Sequence, residues 1–266
     1  MNKLGFIGCG KMAGAIIKGV LKSANSADFV LRGSEVNEEI ANLASEKLGI
    51  EVISDNKKLA EWADVLLIAT KPNMVVEVLE EIKPVFGAEK LLISIAAGVS
   101  TSKINGVLPE HRVVRVMPNT PALLGFGMAG ITGGKNAIHT DLEFVHKLMS
   151  SVGEVIEVQE NQMDIVTAIS GSGPAFFYQV IEDMARAGEK LGLDYRKSLL
   201  LATQTARGSA EMVMKRGETP VQTLIDNVAT KGGCTFVGIT AMKEENSAEL
   251  FDRVIKDTAK KASELG

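Results

Sequence analysis

LGFIGCGKMAGAIIKGVLK, residues 4–22, begins with a short apolar run, turns through Gly8-Cys9-Gly10 and continues with apolar residues at helical spacing. A strand, a G-x-G-x-x-A turn and a helix in that order form the arrangement that cradles a dinucleotide. Gly8 permits the tight turn, Gly10 lets backbone approach a pyrophosphate, and Ala13 in the third place lets the helix pack against the strand. The helix, expected from about Met12, offers the phosphates its unpaired N–H groups and the positive end of its dipole. Gly8, Cys9, Gly10, Lys11 and Met12 are therefore candidate cofactor contacts.

Outward from this turn the pattern repeats. The apolar runs FVLR, DVLLIAT, KLLISIA and RVVRVM alternate with the amphipathic segments AIIKGVLKS, EEIANLASEKLG and VVEVLEEIKPVF. Near-continuous apolar strands separated by helices predict a parallel sheet covered on both faces, an α/β Rossmann domain over residues 1–160. Beyond Glu160 the strand signals stop. Helical periodicity takes over in FFYQVIEDMARAGEKLGL, RKSLLLATQTARGSAEMVMKRG and AELFDRVIKDTAKKASELG, with breaks at Gly192, Gly217 and Pro220. Residues 161–266 read as an all-α domain. Ala202, Ala206, Gly208 and Ala210 permit close approach of a second helix, within the chain or from outside it.

Composition narrows the partners. With 266 residues, 45% hydrophobic and 23% charged, the chain can bury two substantial cores. A net charge of −4 supplies no global positive field for nucleic acid or anionic lipid, so a small molecule fits better. Cys9 and Cys234 belong to no C-x-x-C or Cys/His cluster, which suggests neither disulfides nor a zinc site and makes the cytoplasm the expected location. No metal is expected. The longest apolar stretch, around residues 91–99, is too short to span a bilayer, and the opening residues lack the pattern of a signal peptide.

At the end of the second strand, Arg32-Gly33-Ser34 offers a cation and a hydroxyl suited to the extra phosphate of NADPH. NADH is the alternative: Arg32 would then face solvent and Glu35 would take the ribose hydroxyls. The loop Ala69-Thr70-Lys71-Pro72-Asn73 follows the strongest strand and should also face the cofactor, since ligands bind beyond the carboxyl ends of strands. Lys71-Pro72 is equally suited simply to start the following helix.

Three further segments carry a resemblance: VMPNTPA at 116–122, ISGSGPA at 169–175 and DNVATKGGCT at 226–235. Together with GFIGCGKM and ATKPN, in this order and spacing, they resemble pyrroline-5-carboxylate reductase over essentially the whole chain. The resemblance implies an all-α dimerisation domain, with homodimers that assemble further, up to a decamer. It implies NADPH-dependent reduction of 1-pyrroline-5-carboxylate to L-proline, the last step of proline biosynthesis, and adds Asn56, Ala97 and Asn119 to the cofactor contacts. It sets the substrate between the nicotinamide and the glycine-rich loop. Thr235 is then the residue whose hydroxyl approaches the ring, and Asn227, Thr230, Gly232, Gly233 and Cys234 line the substrate. Thr235 suits equally a plain capping hydroxyl, and Cys234 a small packed side chain. Gly232 and Gly233 would bare helix N–H groups to the substrate carboxylate. Two positions depart from the family: Lys231 stands where proline is usual, and Cys234 where threonine or alanine is more frequent.

A protonated imine is already electrophilic, so positioning and exclusion of water suffice and little acid–base machinery is needed. His111, His139 and His146 fall in no constellation and are expected at the surface, and Ser170-Gly171-Ser172-Gly173-Pro174 reads as the start of a helix. A β-hydroxyacid-type dehydrogenase would call for a lysine or histidine early in the helical half, and residues 170–178 hold neither. A noncatalytic NADPH-binding regulator has only Lys231 in its favour.

Overall fold

The computed structural model describes residues 2–24 and 26–264. Its first part alternates strands and helices: β1 (Asn2–Ile7), α1 (Lys11–Lys22), β2 (Phe29–Ser34), α2 (Glu38–Leu48), β3 (Glu51–Ile53), α3 (Asn56–Trp62) and β4 (Val65–Ile68). There follow α4 (Val75–Ile82), β5 (Leu91–Ser94), α5 (Thr101–Val107), β6 (Arg112–Met117), β7 (Gly127–Gly133), α6 (His139–Met149) and β8 (Gly153–Glu157). The sheet runs β3-β2-β1-β4-β5-β6-β7-β8 and every pairing is parallel except β6 with β7. The expected parallel sheet is present, with one antiparallel step. Residues 118–126, with a 3-10 turn at Thr120–Leu124, join β6 to β7, and so short a connection falls below the dozen or so residues that a parallel crossover needs.

Strand residues alternate between two apolar layers. Leu4, Phe6, Leu31, Leu67 and Ile93 pack with Ile16, Ile17 and Val20 of α1 on one face. Ile7, Leu66, Ile68 and Leu92 pack with Leu59, Val78, Leu79 and Ile82 on the other. Both faces are covered, which is why the strands read as unbroken apolar runs. Gly5 lies where a Cβ would sit 3.0–3.1 Å from Leu66, Ala63 and Leu59, so α3 can approach β1 closely.

Strand order reverses between β1 and β4, and the register aligns their ends. Ile7 lies opposite both Ser34 and Ile68, Ile68 opposite Ser94, and Ser94 opposite Arg115. The loops after β1, β2, β4 and β5 thus emerge along one edge, at the switch point where open α/β sheets bind ligands.

Beyond β8 the described residues contain helices only: α7 (Met163–Val166), a π turn at Thr167–Gly171, α8 (Gly173–Lys190), α9 (Tyr195–Met214), α10 (Val221–Val228), α11 (Cys234–Glu244) and α12 (Ser247–Ser263). By contacts, residues up to Ser172 together with those from Asp257 form one unit, and Gly173–Lys256 a second. Strands end near 160 as expected, while this contact boundary falls later. In the first unit Arg115 of β6, only 4% exposed, pairs with Glu160 at 2.6 Å and lies 3.8 Å from Asp164, fastening α7 to the sheet.

Within the second unit, α8 and α9 approach closely at Gly188, where a Cβ would stand 2.7 Å from Ser198 Oγ. Of the small residues singled out on α9, Ala202 is buried and Gly208 has open space around it. Gly192 and Gly217 adopt positive φ (96° and 61°) and separate the helices where expected. His111 corrects its expected surface position: it is buried, stacks on Phe86 at 5.3 Å and bonds the Phe86 carbonyl through Nε2. Among the described residues no helix is long and apolar enough to cross a membrane.

Candidate functional site

The phosphate loop is shaped by its two glycines in different ways. Gly8 has φ +88°, and its N–H bonds the Ser34 carbonyl at 3.0 Å, locking the turn to the end of β2. A Cβ there would lie 3.1 Å from the Ala69 carbonyl oxygen, which is fixed backbone. Gly10 caps α1 with an ordinary extended backbone (φ −66°, ψ −167°) and no capping side chain. Nothing lies within 4 Å of a Cβ built on it. The turn is closed at Gly8 and open at Gly10, which is the shape a diphosphate needs over a helix N-terminus. Lys11 begins the helix at the mouth of a groove of about 580 Å³ that Cys9, Gly10, Lys18, Lys22 and Lys47 also line.

On the other side of the loop a second cavity, about 270 Å³, is lined by Gly8, Ser34, Glu35, Asn56, Thr70 and Glu81 among others. Ser34 is fully buried and donates to Asn56 Oδ1 at 2.7 Å, and Asn56 Nδ2 donates to Glu81 at 2.8 Å. Thr70 Oγ1 is buried without a partner and lines the same cavity. Glu35 accepts the Cys9 backbone N–H at 2.7 Å. Sequence reading held Glu35 only as an alternative and missed Glu77 and Glu81, which also line this space. The signal available was the position of Glu35 directly after the strand.

Arg32 does not line this cavity. It sits two residues before the end of β2, bonds Glu51 of β3 at 2.7 Å and stacks over Trp62 at 4.6 Å. The β2–β3 register sets Arg32 opposite Glu51, and in this structure that pair engages the guanidinium. Asn119 is likewise engaged. Its Oδ1 accepts the Met128 N–H at 2.8 Å and its Nδ2 donates to Ser170 at 3.2 Å, so the side chain ties the end of β6 to β7 and the π turn. Ala69 and Ala97 follow β4 and β5 on the switch-point edge, and Lys71 is exposed ahead of the short turn Pro72–Met74.

The Cys9 thiol is pushed up from its ordinary 9.0 to about 12, chiefly by burial and then by Glu35, against a lowering contact with the Ser34 carbonyl. Because the folded value lies above the unfolded one, the contribution of this thiol to stability is complete below pH 9 and disappears as pH rises from 9 toward 12. Cys234 is exposed. Iodoacetamide at pH 8 is expected to modify Cys234 in the native protein, to spare Cys9, and to reach both after denaturation; mass spectrometry of the labelled peptides reads the outcome.

In the second unit, Asn227 lies near the end of α10 and Thr230 in the loop that follows, both exposed. The Gly233 N–H bonds the Thr230 carbonyl at 2.9 Å, and a Cβ on Gly233 would crowd Thr230 Oγ1 at 3.0 Å. Gly232 has φ +82° and open space around it. Gly233 caps α11 without a side-chain hydrogen bond, so the N–H groups of the first turn are left for another acceptor. Thr235 is the second residue of α11 and not its cap, and among the described residues its hydroxyl has no partner. An uncapped helix N-terminus beside a free hydroxyl suits a carboxylate with one further polar atom. Lys231 and Cys234 are exposed at this loop.

Known proteins share the sequence and fold of this chain. Residues 160–265 match the family model for pyrroline-5-carboxylate reductase dimerisation, and residues 3–98 match that of NADP oxidoreductase, coenzyme F420-dependent. Over 266 residues the chain is 39% identical to the pyrroline-5-carboxylate reductase of Methanosarcina acetivorans, covering 100% of this chain and 98% of that one. Among solved structures it is similar to the pyrroline carboxylate reductase of Plasmodium falciparum with NADP bound (36% identity, TM-score 0.86, 100% and 98% covered). It is also similar to pyrroline-5-carboxylate reductase from Coxiella burnetii (33%, TM-score 0.92, 100% and 98% covered).

Proposed function

From the premise that this chain belongs to the pyrroline-5-carboxylate reductase family, we propose that it positions its substrate through the N-terminus of α11 and its cofactor through the turn Gly8–Met12. The chain is an NAD(P)H-dependent oxidoreductase that reduces 1-pyrroline-5-carboxylate to proline. NADPH, when bound, supplies the hydride that converts the C=N bond to an amine. The residues fit its diphosphate: Gly10 leaves open the space that group needs, and the first turn of α1 lacks a side-chain cap.

The uncapped start of α11 is the observation that carries the substrate assignment. Gly232 and Gly233 clear the approach, the first-turn N–H groups hold the carboxylate, and the Thr235 hydroxyl holds the ring nitrogen in place. Asn227 and Thr230 stand on the flanks of that loop. The imine arrives electrophilic in its protonated form, so no side chain has to deliver a strong acid. The helical part serves oligomerisation, as the match to a dimerisation model supports. A homodimer, further joined into a decamer, is the assembly we favour, in the cytoplasm, where Cys9 and Cys234 would remain free thiols.

Thr235→Ala tests the placement. Loss of one hydrogen bond to the reacting ring should lower kcat/KM for the imine by about ten- to a hundredfold, with the dissociation constant of NADPH unchanged. Equal loss of both would make Thr235 a structural residue and remove α11 from the site.

A further inference from the structure

We propose that Glu35 sets the cofactor preference of this chain, accepting the ribose 2′-hydroxyl of NADH and opposing the 2′-phosphate of NADPH, so that NADH binds at least as tightly as NADPH. The proposal rests on the reading of Gly8–Met12 as the dinucleotide loop. It deepens that reading by naming the residue that meets the adenosine end.

Three observations carry it. Glu35 follows β2 directly, and its carboxylate reaches 2.7 Å to the Cys9 backbone N–H, which places it against the phosphate loop itself. An acid at this point in a βαβ unit is the group that takes the ribose hydroxyls, whereas a phosphate there needs a cation. Next, the cavity beside the loop is lined by Glu35, Glu77 and Glu81 and by no lysine, arginine or histidine. A 2′-phosphate entering it would bring further negative charge among three carboxylates. Finally, the groups that would welcome a phosphate are engaged elsewhere. Arg32 is held by Glu51 at 2.7 Å and by Trp62, and the Ser34 hydroxyl is given to Asn56. Thr70 Oγ1, buried and unpartnered on the cavity wall, remains as a neutral donor suited to a hydroxyl-bearing ligand.

The test is direct binding, by isothermal titration of NADH and of NADPH into the full-length protein, independent of turnover. The wild type should bind NADH with a dissociation constant equal to or below that of NADPH. Glu35→Gln keeps an acceptor for the Cys9 N–H and removes the charge; it should move the NADPH-to-NADH affinity ratio at least tenfold toward NADPH. Glu35→Ser, which also adds a hydroxyl, should move it as far or farther, and Arg32→Ala should leave the ratio within twofold. Tighter NADPH binding in the wild type, or a ratio unmoved by both Glu35 variants, overturns the proposal while leaving the cofactor site intact. Binding of neither nucleotide would overturn the loop assignment and the proposal together.

Discussion

Gly10→Val is expected to weaken NADPH binding at least about a hundredfold, roughly 2.7 kcal/mol, while the protein remains folded. The backbone at Gly10 is extended with negative φ, a conformation any residue adopts, and no atom lies within 4 Å of an added Cβ. The fold therefore has room for the side chain. Its cost is limited to about 1 kcal/mol, the difference between glycine and an apolar residue at an N-cap. The room it fills is the space over the first turn of α1 that a diphosphate must occupy for the helix N–H groups to reach it. Gly8→Ala should behave in the opposite way. Its φ of +88° and the 3.1 Å approach to the Ala69 carbonyl put the strain into the fold, so stability should fall by about 1–2 kcal/mol. Thermal unfolding and nucleotide titration on the two variants separate a ligand clash from backbone strain. A Gly10→Val protein that binds NADPH normally would place the diphosphate elsewhere.

Glu160→Ala should destabilise the first unit by about 3–5 kcal/mol, lowering the unfolding midpoint on the order of 10 °C. Arg115 is 4% exposed and its strong contact is Nη1 to Glu160 at 2.6 Å. Its Nη2 is 3.8 Å from Asp164, an ion-pair distance without a hydrogen bond, and that nitrogen is buried unsatisfied. Glu160 also accepts the Thr101 hydroxyl at 2.7 Å. Removing Glu160 strands a buried guanidinium and a hydroxyl at once. The double variant Arg115→Met, Glu160→Ala replaces the charge with an apolar side chain of similar length and should recover at least half of the loss, because a buried pair often contributes little net over an apolar replacement. If the double variant is no better than the single one, packing by Arg115 and not its charge is what matters.

The strands of the sheet were legible in the sequence wherever both faces are covered, because burial on two sides demands unbroken apolar residues such as Val65–Ile68 and Leu91–Ser94. β7 and β8 were not. GMAGITG is rich in glycine, and GEVIE is a largely exposed edge strand, so neither shows an apolar run. The phosphate loop was legible because the demands on Gly8 and Gly10 are local to the turn. The fate of Arg32 was not, since it depends on Glu51, nineteen positions away on a strand of three residues. Asn119 shows the same limit. Its position after β6 marks the switch-point edge, but its amide is taken by Met128 and Ser170, contacts that only the folded chain brings together. The substrate loop carries no pattern that composition or periodicity would single out, and its reading came through resemblance; the structure adds that α11 begins without a cap.

The most direct measurement mixes the purified protein with 1-pyrroline-5-carboxylate and NADPH, follows oxidation of the cofactor by absorbance and quantifies proline by chromatography. One L-proline formed for each NADPH oxidised, dependent on both protein and imine, is the expected result. A protein that binds NADPH yet leaves the imine unreduced, with NADH as with NADPH, would contradict the assigned reaction and turn attention to Lys231, the departure from the family nearest the proposed carboxylate site.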